Sequence, residues 1–342
     1  MPVGGEAKTA VLSYIALGKE GTFGTYASAT TAVEAISCTF RTDIESEKLD
    51  QIGASRGFSH RVTKGKIVGG TLEQYLHPQE SVLLIANALG GALVSNSISG
   101  GFAHSVSAGN FDTTTAINQL SFNVRKGESH VWRYTGGRCN QLKITGAVGE
   151  AVKVSYEFVF KDSTLLSDNI IAILSLSSVN PFTFVDGKFK YSNTESNAAN
   201  STNSEPIQSF ELTINNNIVS DDDARSLGNI TVDVLPPTRR DIQLTVKNRF
   251  DTSTTYDRMI QATQGAIELY FEGRAISGTA APFYAMTIRL PKVYNATGDT
   301  EINGSDEILT TEIKYDVLVD NPSPTTTSRD IGITFQNSTA SY

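Results

Sequence analysis

The chain has 342 residues, of which 39% are hydrophobic and 19% charged, and its 36 acidic and 28 basic residues leave a formal net charge of −8. That balance is too apolar for a disordered chain, and an acidic field excludes binding of nucleic acid through concentrated positive charge. The longest apolar runs, such as "SVLLIANALGGALV" (81–94), are too short and too interrupted to cross a bilayer, and the first residues lack the basic start and apolar block of a signal peptide. The length admits two domains of ordinary size.

Strands are read from period-two alternation, beginning after an irregular stretch of about a dozen residues suited to an arm. Ile36, Cys38 and Phe40 alternate with Ser37, Thr39 and Arg41, and an acidic, mobile-looking segment (43–52) follows. "KIVGGTLEQYL" (66–76) is a second strand. "PQESVLLIANAL" (78–89) reads as a helix opened by proline and closed by Gly90 and Gly91. Strands follow at 117–127, 130–146 and 151–162. A link falls near 175–182, and 191–204 is polar enough to be a long loop.

The pattern then restarts. Phe210, Leu212 and Ile214 alternate with Glu211, Thr213 and Asn215, and a second acidic segment (217–227) follows. A single offset lays this strand over the first, with Cys38 against Leu212 and Ile44 against Ile218. The same offset lays "RDIQLTVKNRF" (240–250) over "KIVGGTLEQYL", which sets Val68 against Ile242 and Leu72 against Val246. A helix is expected at 253–264, capped by Ser253 or Thr254, and strands at 266–273, 283–294, 308–320 and 331–337. The shared order of strand, acidic segment, strand, helix and strands reads as an internal duplication. The expected fold is mainly β. It comprises two tandem β-sandwich or barrel domains, each with one short α-helix, at 1–175 with an N-terminal arm and at 176–342 with a C-terminal arm.

Side chains that carry chemistry are scattered. His60, His77, His104 and His130 have no metal-ligand spacing and read as surface or loop residues, while Cys38 and Cys139 read as plain thiols. "GKIVGG" (65–70) lacks the Lys-Ser/Thr ending of a phosphate cradle. "DTEINGSDEILT" (299–310) begins like a calcium loop with Asp299, Glu301, Asn303 and Gly304, but Thr310 stands where a bidentate glutamate belongs. Asp221, Asp222 and Asp223 read as a solvated charge run. No nucleophile, base and orienter can be named together, so neither an enzyme nor a cofactor is expected.

Several stretches resemble a known family. "YIALGKEGTFGT" (14–25) resembles the N-terminal segment of the major tail tube proteins of long-tailed bacteriophages, with its apolar start and "GxExxxGT". "SFELTINNNI" (209–218), "WRYTGGRCNQLKITG" (132–146) and "IRLPKVY" (288–294) are similar to later strands of those proteins, and together the fragments run from about residue 11 to 320. The resemblance implies a structural virion protein of the tail, made in the host cytoplasm. Its copies form stacked rings, each a closed β-barrel around the channel through which DNA is ejected. A duplicated tube domain implies three chains per ring presenting six pseudo-equivalent domains, with six-chain rings as the alternative. Other implied partners are a tape-measure protein, a tail terminator and double-stranded DNA in transit without specific binding; no membrane is implied.

Within that reading the acidic segments are candidate ring-to-ring contacts through Asp43, Glu45, Glu47, Asp50, Asp221, Asp222, Asp223 and Arg225. Deleting 217–226 is expected to leave a folded protein that no longer polymerises. Thr39, Arg41, Glu211, Thr213 and Asn215 are candidate channel-facing residues, where negative potential would keep a duplex mobile. A different β-rich virion part is the alternative, such as a tail terminator, baseplate component or decoration protein. A carbohydrate-binding β-sandwich is weaker, because Trp132 is the only tryptophan.

Overall fold

The computed structural model describes residues 13–51, 57–58, 60–111, 116–127, 130–166, 174–201, 204–250, 253–277, 280–300, 308–320 and 330–342. The fold is mainly β. In chain order the elements are β1 (Tyr14–Lys19), β2 (Thr31–Val33), β3 (Ser37–Cys38), β4 (Arg41–Lys48), β5 (Arg61–Tyr75), α1 (Ser81–Leu89), β6 (Leu93–Ile98), β7 (Gly101–Ser107), β8 (Leu120–Lys126), β9 (His130–Ala147), β10 (Lys153–Phe160) and β11 (Asp162–Leu166). There follow β12 (Gly187–Ser192), α2 (Glu195–Asn200), β13 (Ile207–Asn215), β14 (Asp241–Arg249), α3 (Thr254–Ile260), β15 (Gly265–Ser277), β16 (Ala280–Asn295), β17 (Thr310–Val317) and β18 (Gly332–Asn337).

β9 organises the first half. Alternation along it buries Val131, Tyr134, Cys139, Leu142 and Ile144. It turns at Gly136, whose φ of 68° and close approach to Lys161 and Phe23 leave no room for a side chain. Before the turn β9 pairs with β8 and β11; after it, β9 pairs with β10 and β13. The main sheet therefore runs β4–β5–β10–β9–β13–β14–β17–β16, with β3 beside β4 on β5. All of these pairs are antiparallel, and among the described residues the sheet does not close on itself.

The pairings recur in order. β4 on β5, β5 on β10 and β10 on β9 are matched by β13 on β14, β14 on β17 and β17 on β16. β1 on β8, β8 on β9 and β9 on β11 are matched by β12 on β15, β15 on β16 and β16 on β18. Two ion pairs also match. Lys66 bonds Asp162, and Arg240 bonds Asp330 at 3.0 Å. Each aspartate also accepts from the next backbone N–H, Ser163 at 2.7 Å and Ile331 at 2.9 Å.

These matches correct the register. Leu72 pairs with Cys38, whereas Val246 pairs with Phe210, so one offset cannot relate both pairs of strands. The Lys66 and Arg240 match keeps the expected offset for β5 and β14. Cys38 then corresponds to Phe210 rather than to Leu212. Alternation alone could not detect this, since a slip from Leu212 to Phe210 keeps every side chain on its own face.

One continuous core serves both halves. Phe40 packs edge-on against Phe122, Phe158 and Phe160 at 5.3, 5.9 and 4.9 Å between centroids, and Leu212, Leu244, Ile288 and Tyr315 belong to the same cluster. Each such side chain stabilises the fold by roughly 1.5–3 kcal/mol. Every residue of α1 is buried, and Gly90 ends it in the left-handed conformation.

Several expectations change. Residues 43–48 are strand rather than loop, because β4 continues the hairpin with β5 beyond the core. Ile36 is 46% exposed, lying just before the short β3 rather than inside an alternating strand. The stretch 191–204 holds the end of β12 and α2, where Thr194 Oγ1 accepts from the Asn197 N–H at 3.3 Å and Ala198 is buried.

His77 and His104 are buried. His104 bonds Ser95, Asn337 and the Thr339 carbonyl, contacts that a neutral imidazole can satisfy. Residues 330–342 are part of the fold rather than an arm: β18 lies between β16 and β7, and the Tyr342 hydroxyl donates to the Gln79 carbonyl at 3.0 Å. The N-terminal arm (1–12), the stretch 321–329 and positions 301–307 of the calcium-like loop lie outside the described residues.

Candidate functional site

The main sheet has one face on the core and one facing out, and the outward face carries rows of polar side chains across the strands. One row is Glu73, Ser155, Lys143, Thr213, Gln243 and Asp316; the next is Lys153, Thr145, Glu211, Thr245 and Lys314. A third runs Thr71, Glu157, Gln141, Asn215 and Asp241. Five carboxylates stand against three lysines in these rows, so the face is mixed with an acidic excess. Lys143 meets Glu211 at 2.9 Å across the β9–β13 junction, with both side chains partly in solvent. Such pairs contribute roughly 0–1 kcal/mol and leave the face hydrated.

All five channel candidates point to this side. Glu211, Thr213 and Asn215 alternate with buried Phe210, Leu212 and Ile214. Thr39 and Arg41 fall opposite Thr71 and Gly69 on β5, in the same parity. Arg41 is not an isolated positive charge, since its Nε donates to Asp43 at 2.9 Å.

The contact candidates divide. Asp43, Glu45 and Glu47 lie on β4, which has no buried residue, and Asp50 lies just past its end. The first four residues of β5 are exposed as well, so the hairpin projects from the core. Asp221, Asp222 and Asp223 lie at a 3-10 turn in the 216–240 segment, where the Asp221 side chain accepts from the Asp223 N–H. That segment is not free. Ile218, Ala224, Val232 and Leu235 form a small second core against Phe23 and Val159. Arg225, its side chain only 7% exposed, bonds Asp222 at 2.7 Å and Glu45 at 3.2 Å. The Lys66 N–H donates to the Ile230 carbonyl at 2.7 Å. The two acidic segments thus touch each other within the chain.

A polar cluster that sequence reasoning missed joins the halves. The buried Asn216 amide donates to the Ala88 and Cys139 carbonyls at 2.8 and 2.9 Å and accepts from Arg240 Nε at 3.2 Å. Arg240 also reaches the Leu89 and Gly109 carbonyls. The C-terminal end of α1, whose carbonyls lack helical partners, is capped by the second half. The only sequence signal is the polar Asn216 at a position where alternation calls for an apolar residue.

The main sheet is left partly uncovered at both of its ends among the described residues. β4 pairs with β5 on one side only. On β16, the edge facing β15 has no strand partner at Tyr294 and Asn295, the last two residues of the strand. No group of three or more His, Cys, Asp or Glu placed to hold a metal ion occurs among the described residues.

Uncovered sheet ends, a projecting hairpin and a hydrated sheet face define a β-rich protein built for assembly. A family profile described as phage tail tube protein matches residues 11–317, and the chain belongs to that family. It is a structural protein of the phage tail tube and a virion component; tail tube proteins assemble with their own copies into stacked rings. Among solved structures, a hybrid solid-state NMR and cryo EM ensemble of the SPP1 tail tube is similar at 12% identity, covering 47% of this chain and 81% of that one, with a TM-score of 0.30. No curated protein matches the sequence.

Proposed function

We propose that this chain is a duplicated tube unit, divided near residue 175, and that three copies close one ring of the tube. The β9–β13 pairing carries this reading. It joins the last sheet strand of the first half to the first of the second, and repeating that junction between copies would lay β3 and β4 of one chain against the uncovered end of β16 in the next, at Tyr294 and Asn295 and the residues that follow. A head-to-tail contact of this kind closes into a ring when the rotation fits, and closure removes the exposed edges.

In such a ring the polar sheet face lines the channel. Thr39, Arg41, Glu211, Thr213 and Asn215 face the DNA, and the acidic excess keeps phosphates from adhering during ejection. The β4–β5 hairpin, with Asp43, Glu45, Glu47 and Asp50, reaches the adjacent ring, and the 216–240 segment with Asp221 to Asp223 braces it through Arg225. A tape-measure protein within the tube and a terminator at its end are the other partners, and synthesis takes place in the host cytoplasm. Native mass spectrometry of rings released from tubes tests the stoichiometry. Three chains per ring supports the duplicated unit; six chains per ring refutes it.

A further inference from the structure

We infer that in the ring Ile44 of one copy is buried against Ile260, at the C-terminal end of α3, of the next. The inference rests on the three-chain reading and adds the contact that fastens neighbouring copies.

Two helices in matching places differ in burial. α1 follows β5 and is wholly buried; α3 follows β14 and buries none of its residues. Ile260 is 64% exposed, Tyr256 43% and Phe250, just before the helix, 44%. The isolated chain therefore leaves an apolar helix end in water, which burial against a neighbour would relieve.

The chain contains its own template for what covers such a helix. The end of α1 is closed by Asn216 and Arg240, at the root of the connection between β13 and β14. By the ion-pair match, Arg240 corresponds to Lys66. Asn216 follows Asn215, which pairs with Asp241, so it stands beside Arg240; Ile44 pairs with Lys66 and takes the matching place. A left-handed residue follows each helix, Gly90 at φ 62° directly after α1 and Ala262 at φ 47° two residues after the end of α3, and aligning these two sets Ile260 at the place of Ala88.

Within the chain Asn216 bonds the carbonyl of Ala88. The corresponding pair between copies is Ile44 with Ile260. Ile44 is 50% exposed on an otherwise polar strand, so both members are apolar and both are unburied in one copy. A hydrogen-bonded junction inside the chain is matched by a hydrophobic one between chains.

The test mixes two single variants, Ile44→Cys and Ile260→Cys, under assembly conditions with a mild oxidant, and reads covalent dimer on a non-reducing gel. Cross-linking requires Cα atoms within about 7 Å. Dimer from the mixture, with none above the parent background from either variant alone, supports the contact; Cys38 and Cys139 supply the same background throughout. Ile44→Asp should fold with unchanged circular dichroism, because the side chain is exposed in the single chain, and should lose ring formation in negative-stain images. If the parent forms three-chain rings while the mixture gives no dimer and Ile44→Asp assembles normally, the contact is wrong and the ring reading stands. If the parent forms six-chain rings or none, the ring reading falls and takes the contact with it.

Discussion

Asn216 shows how one side chain holds the two halves together. Its amide satisfies two buried carbonyls, and removing it strands both. Asn216→Ala should lower stability by about 2–3 kcal/mol in urea unfolding, near the upper end for a lost buried hydrogen-bonding group. His104 carries a pH dependence. Burial lowers its pKa below the ordinary 6.5, so the unfolded chain takes up a proton that the folded one refuses. Stability should therefore fall as pH drops below about 6.5 and be flat above it. His104→Gln should remove that slope in denaturation midpoints measured across pH 5–8.

The cysteines were legible as plain thiols, but not the depth of Cys139. Burial pushes both thiol pKa values up, that of Cys139 furthest. In the native protein an aromatic disulfide reagent should label Cys38 slowly and Cys139 only after unfolding. The buried histidines were illegible because their partners lie far off in the chain: for His104 they are Asn337, at the end of β18, and the Thr339 carbonyl just beyond it.

Among the elements, the hairpin β4–β5 and the 216–240 segment form one unit. Deleting 217–226 would remove Ile218 and Ala224 from the small core and expose Val232 and Leu235, so it is a harsher change than the sequence suggested. A cleaner probe reverses the Glu45–Arg225 pair. Glu45→Arg should cost about 1 kcal/mol and Arg225→Glu more, because that side chain is buried and also meets Asp222, and the double variant should be less destabilised than the sum of the two, as read by urea unfolding and hydrogen exchange over 217–235.

At this scale the sequence was informative where side chains alternate against a core. β9, β13 and β14 fall where periodicity puts them and α1 ends where Gly90 puts it, whereas β5 starts earlier than expected, at Arg61, and α3 ends earlier, at Ile260. It was uninformative for β6 and β7, which carry four serines between them and are largely exposed at β6. The acidic β4 reads as a loop because backbone pairing with β5, rather than burial, makes it a strand. The family was legible because its motifs sit mostly on strands or, as with Glu20 to Thr25, directly after one, whereas the contact residues lie where composition is generic.

For the whole molecule, the charge of the sheet face should govern how DNA passes. The triple variant Glu157→Lys, Glu211→Lys and Asp241→Lys turns the acidic excess basic. Tubes of this variant should retain duplex DNA on sedimentation at low salt and release it as salt rises, while parent tubes retain little at any salt. Equal retention by both would remove the face from the channel.

A cryo-EM map of the assembled tube tests most directly whether the junction inside the chain repeats between chains. Three chains per ring are expected, with β3 and β4 of each copy lying antiparallel against the uncovered end of β16 in the next, as β13 lies along β9. A ring of six chains, or copies joined through any other edge, would contradict that repetition.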